Sequence, residues 1–145
     1  MMRSKFIRIA FFFLIIFSGC SIKDGVKSGS SDEELRDRIM AFWDHKMKEE
    51  FDKSYEYEIP VYRKNTRMVQ YIGSFNTDVI KWTSVKVEGI RVEGASALVD
   101  LIVRTKVTLP GIRANEADSP LYEKWVKVDN VWYHVPGGTD QRGTK

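Results

Sequence analysis

Cys20, His45 and His134 are the one thiol and the two imidazoles in a chain of 145 residues, so nucleophilic and general acid-base chemistry have few carriers. A zinc centre asks for three or four converging thiolate, imidazole or carboxylate ligands. Two isolated histidines and one cysteine do not supply that array. No Gly-rich phosphate loop, serine elbow or Cys-His nucleophile pair occurs either, which argues against phosphoryl and acyl transfer. Among the acids, Asp44, Asp78 and Asp100 are those that could reach a concave protein face. Asp100 sits between apolar strand neighbours, where an unpaired carboxylate is costly, so edge exposure or a pairing with Arg104 is expected. His134 follows Trp132 and Tyr133, and its parity leaves it facing either inward or to water. Tyr57, Trp82, Asp100, Trp132 and His134 form the candidate pocket set. No catalytic residue, cofactor or metal is assigned.

Aromatic residues suggest a stacking platform for glycans as the alternative to ordinary packing. Five of the eight phenylalanines, at positions 6, 11, 12, 13 and 17, fall in the leading segment. Trp43, Trp82, Trp125 and Trp132 remain at core-compatible positions. Tyr55, Tyr57 and Tyr62 could rim a pocket mouth. The run Arg63-Lys64-Asn65-Thr66-Arg67 reads as a solvated loop or a docking patch for acidic headgroups or a protein.

Cys20 has an informative context. Arg3, Lys5 and Arg8 precede nine apolar residues from Ile9 to Phe17, then Ser18-Gly19-Cys20. Basic start, short apolar run and small residues have the logic of a secretory signal, and the run is too short to span a bilayer, which takes about 20 residues. A buried thiol or a plain signal-peptidase site are the other readings. Phe17-Ser18-Gly19-Cys20 resembles the bacterial lipoprotein lipobox, with Phe17 in place of the usual Leu. The resemblance implies that Cys20 becomes the mature N-terminus and carries acyl chains, the lipid anchor to the membrane. Ser21 rather than Asp after it resembles lipoproteins forwarded to the outer membrane, facing the periplasm. Removing residues 1–19 takes three cations and no acid, so Lys plus Arg falls from 23 to 20 against 20 Asp plus Glu. The mature chain is neutral and lacks the basic footprint of a nucleic-acid binder.

Residues 20–31 are small and polar and read as a flexible tether. Residues 32–136 read as one globular domain and 137–145 as a disordered tail. Ser31 to Glu34 predict a helix start, and Leu35, Ile39, Phe42, Trp43 and Met47 form one apolar stripe. Lys46, Lys48, Glu49, Glu50, Asp52 and Lys53 read as a solvated face. A short helix over Phe51 to Tyr57 should end at Pro60. Arg63 to Phe75 reads as strand or helix, and near-helical spacing of Met68, Val69, Tyr71 and Ile72 favours a third short helix, capped at Asn65-Thr66 and ending near Gly73. From Val79 the pattern becomes that of strands, with a parity slip at Gly89 that predicts a β-bulge and a turn at Glu93-Gly94-Ala95. Ala97, Val99, Leu101, Val103, Thr105 and Val107 alternate with polar and mixed positions. Pro110 to Pro120 reads as a long loop, and Asp129-Asn130 as the tight turn of a closing hairpin.

Helices first and then an antiparallel meander give an α+β fold, with N-terminal helices packed on a curved antiparallel sheet. Phe42-Trp43, the Val87 to Val107 hairpin with its Gly94-Ala95 turn, and the Trp125 to Val135 hairpin make the order resemble the nuclear-transport-factor-2-like superfamily. The resemblance implies a cone of sheet around a pocket, and it says little about activity. The expected function is a lipid-anchored envelope protein acting as a non-catalytic binding or assembly module for an envelope protein or a small apolar ligand. The alternatives are a pocket enzyme of the isomerase or dehydratase type and a cell-wall glycan binder.

Overall fold

The computed structural model describes residues 28–75 and 77–137. The expectations for the leading segment, for Cys20 and for residues 138–145 lie outside the described residues. Helix α1 (Ser28–Met47) begins inside the stretch read as tether, and its first turn carries no acid, so Asp32, Glu33 and Glu34 fall beyond it. The predicted stripe is present: Leu35, Ile39, Phe42 and Trp43 are all buried. Met47 is only partly buried. The stripe closes instead on Lys46, read from the sequence as solvated. Lys46 stands three and four residues after Trp43 and Phe42, and its ammonium lies over both rings. Helical spacing puts such residues on one face.

Three short helices follow, α2 (Phe51–Tyr55), α3 (Pro60–Asn65) and α4 (Met68–Gly73). Pro60 was expected to stop a helix and instead starts α3, where its missing N–H is not needed and its fixed φ suits the first turn. The expected cap at Asn65-Thr66 moves to Arg67, whose backbone N–H donates to Gln70 Oε1 at 2.9 Å. Gly73 closes α4 as expected.

Strands β1 (Ile80–Glu93), β2 (Ser96–Val107), β3 (Asn115–Val128) and β4 (Val131–Val135) form one antiparallel sheet in that order. Register shifts lie between Trp82 and Ser84 and between Val87 and Gly89, so the glycine bulge is present with a second beside it. Bulges bend and twist a strand, which suits a sheet curved around α1. Gly94 turns the first hairpin at φ 61°, a conformation open to glycine. The predicted long loop is shorter than expected, because β3 starts at Asn115 and Pro120 stands opposite Ile102. On its other side β3 meets β4 only from Lys124 to Val128. At Pro120 the strand is therefore a sheet edge, the place where a residue without an N–H is tolerated. Asp129 and Asn130, at φ 49° and 64°, make the predicted two-residue turn.

Ala97, Val99, Leu101 and Val103 of β2 join Trp125, Trp132 and the α1 stripe in the main core. A second cluster, Phe51, Tyr55 and Tyr71, lies among the short helices, and Trp82 packs against both. Ile39→Ala should lower unfolding free energy by about 2–5 kcal/mol, as expected for a fully buried aliphatic side chain. Met47→Ala should cost well under half as much. Urea melts of both variants check the pair, and equal losses would contradict the placement of the stripe.

Candidate functional site

The inner face of the sheet carries a buried polar cluster built from four elements. Glu123, on the inward parity of β3 with Trp125, is 5% exposed. Its two oxygens each accept an indole N–H, Oε1 from Trp43 of α1 at 3.1 Å and Oε2 from Trp125 at 3.0 Å. His134 of β4 stands beside it, with Nε2 3.8 Å from Glu123 Oε1 and Nδ1 2.7 Å from Glu58 Oε2. Glu58 is 2% exposed and sits on the link between α2 and α3. Main-chain bonds set it there: His134 N–H donates to Tyr57 O at 2.8 Å and Ile59 N–H to His134 O at 2.9 Å. A histidine between two carboxylates can hold or pass a proton through both ring nitrogens.

Lys46 brings an ammonium to the same place. Its Nζ lies 4.3 Å from the Trp43 ring centroid, 4.8 Å from Trp82, 4.9 Å from Phe42 and 5.5 Å from Phe75. A cation over ring faces is stabilised by their quadrupoles. Burial holds the Lys46 amine below its ordinary range, against the opposing pull of Glu123 and Glu58. Tyr71, whose hydroxyl is 3.0 Å from Ser54 Oγ, is pushed upward, first by burial and also by Glu58. A cavity of about 180 Å³ opens on the cluster, with Lys46, Glu123 and His134 on its wall. Sites for drug-sized ligands run to about 300–1,000 Å³, so this one suits water or a very small molecule.

The predicted pocket residues separate. His134 faces inward, and its ring stacks on Phe42 at 4.9 Å. Tyr57 lies 6.0 Å from Phe42 with the Arg38 guanidinium 4.7 Å from its own centroid. Trp132 is fully buried, with Nε1 unbonded, and its carbonyl accepts from Arg38. Trp82 serves the Lys46 cage. Asp100 does not join them, since it alternates with the buried Val99 and Leu101 and so lies on the outer face. There it pairs with Arg91 at 3.2 Å, while Arg104, its expected partner, binds Asp118 through two bonds of 2.7 and 2.9 Å. Asp44 pairs with Lys48 at the surface, and Asp78 is exposed. Trp43, Trp125 and Trp132 are core residues, which leaves no broad indole face for a glycan among them. Lys46, Glu58 and Glu123 were missed by sequence reasoning. For Glu123 a signal existed, an acid two residues from Trp125 and thus on the same strand face.

No family model matches the chain, and no curated protein matches it. Solved structures do. A Ca/calmodulin-dependent kinase II association domain from Exiguobacterium sibiricum is 13% identical, covering 77% of this chain and 92% of its own, with a TM-score of 0.56. A CaMKII hub homology domain from Chlamydomonas reinhardtii is 16% identical, covering 73% and 94%, with a TM-score of 0.51. A SEC-C motif containing protein from Rhodopseudomonas palustris is 18% identical, covering 70% and 71%, with the same score. The kinase association and hub domains are nuclear-transport-factor-2-like, so the α+β architecture expected from the sequence is the one found. Identities this low establish the fold alone.

Glu123→Ala would strand the Trp43 and Trp125 N–H groups and should cost about 3 kcal/mol in urea unfolding, with Glu123→Gln, which keeps an acceptor, losing less. Equal losses would contradict the role of the two acceptor bonds, and no loss in either variant would show that they contribute nothing to stability. Lys46 gives a pH signature. Its folded pKa is lowered, so between that value and the unfolded 10.5 the unfolded chain binds more protons and stability rises with pH. Lys46→Met should remove that rise, measured as the difference between wild-type and variant urea midpoints from neutral pH up to 10.5.

Proposed function

We propose that the protein is a lipid-anchored, non-catalytic association module of a bacterial envelope, tethered through Cys20 and working through its outer surfaces. The observation that carries the non-catalytic part is the filled cone. Trp43, Trp125, Trp132 and Phe42 occupy its interior, and Glu58, Glu123 and His134 bond one another or the indoles. A pocket enzyme needs an acid or base free to meet substrate, whereas these groups are engaged and open only on a small cavity. The kinship in fold with domains described as a hub and as an association domain supports a role in protein association.

The anchor rests on the leader and the Phe17-Ser18-Gly19-Cys20 motif. Two or three acyl chains on one residue give stable attachment, each buried methylene adding about 0.8 kcal/mol. With Ser21 following, we place the mature domain at the outer membrane, facing the periplasm, where an envelope protein is the partner. Cys20→Ala should abolish membrane fractionation and metabolic palmitate labelling. Unchanged labelling would refute acylation at that thiol. Native mass spectrometry of the processed protein should find the acylated chain with no small molecule retained, and a co-purifying ligand would favour a pocket function instead.

A further inference from the structure

We propose that the face formed by α3 and α4 docks on an anionic lipid surface. Four of the eight large apolar side chains exposed among the described residues fall within twelve positions of this segment: Val61, Met68, Val69 and Ile72, with Val61 58% and Val69 67% exposed. On α4, Val69 stands nearly opposite the buried Tyr71, and Ile72 and Met68 follow on the arc between them, partly exposed. Arg63, Lys64 and Arg67 are interleaved with them, and no Asp or Glu occurs from Ile59 to Thr77. Arg63 is matched by Glu56, while Lys64 and Arg67 form no salt bridge among the described residues. Beside Val61, a shallow hollow of about 240 Å³ is bounded by Ile59, Tyr62, Val135 and Pro136.

Apolar side chains beside uncompensated cations match the boundary between phosphate headgroups and acyl chains. Charge selects this occupant over a second copy of the chain. A twofold contact would set the same patch against itself, bringing like charges together. The face is also held in shape. The Tyr55 hydroxyl donates to Thr66 O at 2.6 Å with Arg63 O at 3.0 Å, which pins the turn between the two helices. The proposal adds to the anchored reading a second, non-covalent membrane contact, and it does not require acylation.

The test uses the unacylated chain from Ser21 to Lys145, because every residue of the described cores lies between Leu35 and Trp132. Co-sedimentation with vesicles of equimolar phosphatidylglycerol and phosphatidylcholine should recover the protein, and phosphatidylcholine vesicles alone should not. Raising salt should release it. The double change Lys64→Glu with Arg67→Glu should weaken partitioning by at least about 25-fold, about fivefold for each cation. Val69→Asp should also weaken it, and Lys86→Glu on β1 should not, with unchanged far-ultraviolet dichroism confirming the fold. Equal binding to both vesicle types, no binding, or binding undiminished by the double change would overturn the proposal. Retention on poly-glutamate beads with none on vesicles would assign the patch to an acidic protein and overturn it too. Because acylation is absent throughout, failure here leaves the Cys20 anchor to its own labelling test.

Discussion

Glu123 has to find its hydrogen bonds between helix and sheet, because an isolated carboxylate taken from water costs several kcal/mol even after relaxation. The two indole N–H groups that meet it come from different layers, Trp43 from α1 and Trp125 from the sheet. Both oxygens are engaged at once, so helix and sheet can occupy one mutual position and keep those bonds. Hydrophobic packing brings α1 to the sheet, and it would tolerate sliding by a fraction of a turn. The carboxylate does not, since a displaced indole would strand a buried donor.

The same requirement propagates outward. His134 couples Glu123 to Glu58, and Glu58 lies on the link that leads into α3. Main-chain bonds on both sides of Glu58 fasten that link to β4 as a single parallel bridge. Lys46 supplies positive charge near both acids without a salt bridge to either among the described residues, held by four aromatic rings. A positive group among two carboxylates reduces the repulsion of burying both. Trp82 then joins the cage to the second apolar cluster, so the polar chain and the two cores form one connected interior.

Where a single period governed the choice, the sequence was readable. The α1 stripe from Leu35 to Trp43, the alternation from Ala97 to Val103, the bulge at Gly89 and the turn at Asp129-Asn130 each follow from local spacing or backbone chemistry. Prolines were misread because their meaning depends on neighbours. Pro60 opens a helix since a helix follows it, and Pro120 sits in a strand since β4 is too short to pair there. The site was the least legible part. Lys46 lies in a run of charged residues that otherwise face water, and only the rings of Trp82 and Phe75, distant in sequence, make its position a cage. Glu58 becomes a partner for His134 through a contact across 76 residues. Asp100, counted among the pocket candidates and expected at an edge or paired with Arg104, lies on the outer face and pairs with Arg91, a partner on the neighbouring strand that only the register of β1 against β2 brings there.

The exposed face of α3 and α4 follows from the same interior. Helices of six residues have almost no stability alone, because nucleation is unfavourable and few bonds repay it. Their outward apolar residues cannot hold them in place, so the inward ones must. Tyr71 is buried beside Ser54 and Glu58, and Tyr55 binds the turn at Thr66. Loosening Glu58 would therefore disturb the presentation of Val69 and Arg67, although neither touches the polar cluster. The hydrogen-bonded side chains packed between helix and sheet leave a cavity of only about 180 Å³ beside them, and they fix a surface that two short helices could not maintain by themselves.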